Sequence, residues 1–202
     1  MEFVCESTDL NKYLIELNEV DYSNQVIQDK ITELFNPTQT ELEKIKIAFE
    51  FVRDKISHSY DIQSTLVTCN ASETLTNMEG ICYAKSNLLA ALLRSQGIPT
   101  GFCYQRLMFS NTPKDGYCIH ALNAVFLKDL NKWIRLDARG NKKGIDAQFS
   151  IDEEKIAYTI QEEFDEIDYP IIYAKPHPKT ISTLKKQTNA LEMCKYHLPE
   201  YL

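Results

Sequence analysis

One stretch, Glu79-Gly-Ile-Cys-Tyr-Ala-Lys-Ser-Asn-Leu-Leu-Ala-Ala-Leu-Leu-Arg-Ser-Gln-Gly-Ile-Pro99, constrains most of what this chain can become. Ala84, Leu88, Ala91, Leu92 and Ser95 recur at three- and four-residue spacing, and Leu89 and Leu93 widen the stripe. That period predicts a helix with a broad apolar face. Gly97 suits a left-handed position past its end, and Pro99 blocks continuation. Cys82 then falls in the first turn, where unpaired N–H groups and the positive dipole end stabilise a thiolate. A cysteine is equally at home as a small core residue. A nucleophile therefore needs a histidine and an orienting carboxylate downstream.

Those partners are sought in a chain of 202 residues, enough for one sizeable domain. The expected organisation is a helical segment over 1–37, a core over 38–149, and a C-terminal helical extension over 150–202 packed on that core. Helices are expected over Val26–Phe35 and from a capping box at Thr38 or Thr40 through Ile56. Ser72 is the candidate cap of a short turn leading to Gly80. Strands are expected over Thr100–Phe109, Tyr117–Leu127 and Lys132–Asp137, the last two joined by the tight reversal Lys128–Asn131. The acidic run 150–168 reads as a solvated helix, and 180–197 as a final one. Helices first and adjacent strands afterwards give an α+β fold, with the cysteine helix packed on an antiparallel β-sheet.

His120 opens one strand of the hairpin and Asp137 closes the other. If Phe126 pairs with Trp133, Leu122 lies opposite Asp137, and His120 shares its face as a diagonal neighbour, with Cα atoms roughly 7–8 Å apart. A one-residue slip would send the two side chains to opposite faces. The chemistry needs this arrangement: a histidine takes the thiol proton, and a carboxylate on its other nitrogen fixes the tautomer. His58 competes as a base but stands isolated, and reads as structural.

In combination, Gly80-Ile-Cys82, the helix ending Arg94-Ser-Gln-Gly-Ile-Pro99, the strand-opening His120 and Trp133-Ile-Arg-Leu-Asp137 resemble the transglutaminase-like superfamily of papain-fold cysteine enzymes. The resemblance covers roughly residues 40–140. It implies a papain-like, transglutaminase-like core and a catalytic triad of Cys82, His120 and Asp137 that forms a thioester acyl-enzyme. The Cys82 N–H would be one oxyanion donor. The second is expected upstream, with Gln63, Tyr60 and Asn70 as candidates, and Arg139 is a candidate to line the cleft. Glu79 stands where animal transglutaminases carry an aromatic residue, and no calcium loop is apparent. The expectation is a cysteine protease or amidase, a hydrolase of a peptide, protein or other amide. Acyl transfer to an amine and a non-catalytic binding domain stay open as alternatives.

The remaining expectations are exclusions. The net charge of −7 argues against a broad nucleic-acid-binding face. No leader, spanning segment or membrane partner is apparent. Six widely spaced cysteines with no C-x-x-C pair fit reduced cytoplasmic thiols. Four scattered histidines form no metal-ligand spacing, and no cofactor is expected. The substrate and the oligomeric state are not legible.

Overall fold

A computed structural model describes residues 3–110 and 112–202. Two short helices lead in: α1 (Gln25–Leu34), capped by Asn24, and α2 (Glu41–Lys55). Of the two possible capping boxes, Thr40 with Glu43 forms: Glu43 accepts from the Thr40 N–H at 2.7 Å, and Thr40 Oγ1 from the Glu43 N–H at 3.2 Å. After α2 the chain makes a two-residue strand β2 (Ser57–His58), then helix α3 (Ala71–Asn77) and strand β3 (Glu79–Gly80). Asn70, rather than Ser72, caps α3, with Glu73 accepting from the Cys69 and Asn70 N–H groups.

Helix α4 (Cys82–Arg94) is the centre of the molecule, and all thirteen of its residues are buried. Beyond it Gly97, at φ +70°, lets Gly97 and Ile98 turn their N–H groups back to Arg94 and Leu93. Strands β4 (Thr100–Met108), β5 (Tyr117–Leu127) and β6 (Lys132–Leu136) follow and form an antiparallel sheet. Phe126 pairs with Trp133 and Asn123 with Leu136, so the hairpin takes the register that aligns His120 with Asp137. Asn131, at φ +46°, closes the turn. Alternation along β5 sends Ile119, Ala121 and Val125 to the core shared with α4. Leu122 and Ala124 face a second cluster with Tyr13, Cys103 and Ile172.

The segment after residue 150 departs from the expected helix. Residues 151–161 are irregular, with a single 3₁₀ turn at Glu162–Phe164. Strand β7 (Ile167–Asp168) then joins the sheet beside β4, giving the order β6-β5-β4-β7. Asp152, Glu153, Glu162, Glu163 and Asp165 are exposed, as expected of a solvated run, but three other acidic residues are held by partners. The buried Arg135 pairs with Glu154 and Asp168, and Glu166 accepts from the Met108 and Gln161 N–H groups. Strand β8 (Ile171–Ile172) pairs with β1 (Val4–Cys5), on the side of the sheet where Ile172 joins the second cluster. The expected final helix is two, α5 (Pro178–Lys186) and α6 (Ala190–Tyr196), with Asn189 capping the second.

Gly80 is where β3 runs into α4. A Cβ built there would stand 2.8 Å from Thr68 Oγ1 and 2.9 Å from Ala84 Cβ, closer than real contacts allow. Gly80→Ala should therefore destabilise the protein by about 1–3 kcal/mol, as overpacking does. Urea denaturation measures it, and a change below about 0.5 kcal/mol, the range of neutral surface substitutions, would contradict this account of the glycine.

Candidate active site

Cys82 is the first residue of α4, with Ile81 as its cap. The first bond of the helix runs from the Lys85 N–H to the Ile81 carbonyl at 3.0 Å. The Cys82 N–H lies before it and has no partner within the helix. Cys82 is nearly buried, and its thiol faces a cleft of about 410 Å³ that His120 and Arg139 also line.

His120 Nε2 is bonded to Asp137 Oδ2 at 2.8 Å, which leaves Nδ1 as the free ring nitrogen. Asp137 is fully buried. It also accepts from the Ala157 N–H (Oδ2) and the Arg139 N–H (Oδ1), each at 3.1 Å. Three donors on one carboxylate favour its charged form against the cost of burial. Burial alone would raise the Asp137 pKa; His120 and the two backbone donors hold it below the ordinary value. Burial alone would lower the pKa of His120. The charge and hydrogen bond of Asp137, with a hydrogen bond and charge from Cys82, outweigh it and carry His120 up to about 10.

The other expected site residues divide. Tyr60 lines the cleft, beside Phe109 at 6.4 Å between ring centroids. Gln63 and Asn70 do not reach it, which corrects both as oxyanion candidates. Gln63 is exposed in a left-handed turn and donates to the Tyr60 carbonyl, while Asn70 is taken up as the cap of α3. Arg139 lines the cleft and is buried, but as half of an ion pair. Its guanidinium grips both oxygens of Asp61, and Lys142 reaches the same carboxylate at 2.7 Å. Burial pushes the Asp61 pKa up, yet these two cations bring it down to about 2. Arg139 thus ties the turn after β2 to the end of the hairpin.

Two cleft residues were not anticipated as functional. His58, read from sequence as structural, lines the cleft. Tyr158, placed by the sequence in a helix, stands edge-on to the His120 ring at 5.0 Å. No local pattern marks either: β2 is two residues long, and the loop carrying Tyr158 is irregular. Among the described residues, no three or more His, Cys, Asp or Glu side chains gather as metal ligands would.

The His120–Asp137 pair sets a pH window. His120 has a folded pKa above its unfolded value of about 6.5, so its contribution to stability is fully present below that pH and is lost as pH rises through about 10. Asp137, depressed, contributes above its unfolded value of about 3.9 and loses that contribution as pH falls further. Asp137→Asn removes the carboxylate charge that does most to raise the histidine pKa. NMR titration of the His120 imidazole should show no midpoint between pH 6 and 8 in the unsubstituted protein and a fall by more than one unit in the variant. An unchanged midpoint would contradict the pairing.

No curated protein matches this chain. Among solved structures, a proposed cysteine protease from Cytophaga hutchinsonii is similar, at 18% identity and a TM-score of 0.53 over 66% of this chain. The match covers 43% of that protein, so the chain spans less than half its length and the likeness concerns the fold. No helix among the described residues is long and apolar enough to cross a membrane. The family model of the transglutaminase-like superfamily matches residues 28–138, over half of the chain and inclusive of Cys82, His120 and Asp137; the chain belongs to that superfamily.

Proposed function

We propose that the protein is a cysteine hydrolase of amide bonds, with Cys82 as nucleophile, His120 as general base and acid, and Asp137 as the carboxylate that orients it. The observation that carries this reading is the join of two elements. The first residue of a buried helix faces a histidine whose far nitrogen is already held by a buried carboxylate. In the acylation step His120 Nδ1 already holds the proton given up by Cys82, and Sγ attacks the amide carbon. The imidazolium returns that proton to the leaving amine as the C–N bond breaks, and a thioester remains. In the second step His120 takes a proton from water, whose oxygen attacks the thioester and releases a carboxylic acid and the thiol. The raised His120 pKa supports the imidazolium form that the leaving amine requires.

The substrate class that fits is a peptide, protein or other amide, entering a cleft with an apolar wall of Leu107, Met108, Phe109 and Leu198. Chromogenic peptide anilides, assayed with a labelled primary amine present, test the reading. The expected product is the free carboxylic acid, and Cys82→Ala should lower turnover by on the order of 10⁴-fold or more. Labelled amide as the main product would instead identify acyl transfer to an amine. Anilide binding unaffected by Cys82→Ala, without any turnover, would leave a binding domain.

A further inference from the structure

Nδ1 of His58 is a buried side-chain nitrogen with no hydrogen-bond partner among the described residues. The residue itself keeps partial exposure and lines the same cleft as Cys82. Closed off from the cleft and given no partner by the described residues, Nδ1 leaves Nε2 as the ring nitrogen able to meet a ligand there.

The position of His58 is fixed from several directions. Strand β2 runs parallel to β3 with His58 opposite Gly80, two residues before the nucleophile. The Ser57 N–H bonds the Met78 carbonyl at 2.9 Å, and the Ser59 N–H bonds the Gly80 carbonyl at 3.3 Å. Ahead of β2, Lys85 Nζ donates to the Ile56 carbonyl; behind it, Arg139 grips Asp61.

The charge state is set as well. Burial pushes the His58 pKa well below its ordinary value, and the positive Arg139, Lys85 and His120 push the same way against Asp61 alone. A neutral imidazole keeps one N–H to donate. Arg139 and His120 are each paired with a carboxylate, Asp61 and Asp137, which leaves the charge of an oxyanion to be met by N–H donors.

We propose that the His58 Nε2–H, with the lone pair on the closed-off Nδ1, is the second oxyanion donor, opposite the Cys82 backbone N–H. This rests on the reading of Cys82 as nucleophile. When Cys82 Sγ attacks a carbonyl carbon, the C=O electron pair moves onto oxygen and the two N–H groups receive that oxyanion. When the pair returns, the leaving group departs and the thioester remains. Tyr60, the other cleft residue of this segment, is a poorer donor by position. The Asp61 and Ile62 N–H groups both turn back to the His58 carbonyl, and the Tyr60 ring goes to Phe109.

The test compares two reactions of the same thiol in the full chain. Iodoacetamide alkylates Cys82 by displacement, with no oxyanion; p-nitrophenyl acetate acylates it through one. His58→Ala should keep alkylation within about twofold and lower the acylation burst by about 10²–10³-fold, the loss typical of a removed oxyanion donor. His58→Gln, which retains an N–H donor, should recover part of it, and a matching thermal melt in either variant excludes unfolding. Equal loss of both reactions, acylation unchanged in His58→Ala, or a loss found in Tyr60→Phe instead would overturn the proposal. Slow alkylation of the unsubstituted protein would overturn the Cys82 reading and this one with it. Fast alkylation with acylation indifferent to His58 overturns this one alone.

Discussion

A helix buried along its whole length must satisfy every polar group it carries, because unpaired ones cost far more in a dry interior than at the surface. Helix α4 meets that constraint by reaching outward. Asn87 donates to the Cys69 carbonyl at 2.9 Å, fixing the approach to α3. Arg94 spreads its guanidinium over the carbonyls of Ile15, Thr100 and Ala174, gathering two distant segments and the start of β4 at one end. Lys85 donates to the carbonyls of Arg53 and Ile56 where α2 ends. Burial and the nearby Arg139 bring its pKa down to about 7, which shows how dry that contact is. The groups that make α4 expensive to bury are the ones that place β2 and the loop before α3 near the nucleophile and gather the segments at Ile15 and Ala174 at the helix's far end.

The site inherits its electrostatics from this arrangement. Its fully buried carboxylate, Asp137, is committed to His120 and two backbone donors, and Glu166, also buried, to the Met108 and Gln161 N–H groups. The nearby Asp61 is spent on Arg139 and Lys142. The cleft that holds the thiol is also lined by a histidine favouring its charged form, a second histidine held neutral and a guanidinium already paired. Such a set supports negative charge on sulfur and on a carbonyl oxygen without presenting an unpaired cation to the substrate.

Local patterns were legible where local forces decide. The period of α4 follows from residues near in sequence; the capping box was legible only as Thr38 or Thr40, and the Phe126–Trp133 register only as one of two that the turn allows, the one that brings His120 to Asp137. The rest depends on contacts with distant residues. The run 150–168 looks like a solvated acidic helix until Arg135 claims Glu154 and Asp168 from another part of the chain. Asn70 and Gln63 suited an oxyanion donor by chemistry, but a cap and a turn claimed them. His58 looked isolated because its neighbours, Gly80 and Arg139, lie 22 and 81 residues away in the chain.

The central claim is that Cys82 is an activated thiol paired with His120. Its most direct test is the alkylation rate of Cys82 against pH, resolved by mass spectrometry from the other five cysteines, in the unsubstituted protein and in His120→Ala. The account predicts rapid labelling well below the ordinary thiol pKa of about 8.5, slowed strongly by the substitution. Labelling no faster than that of Cys5, and indifferent to His120, would contradict it.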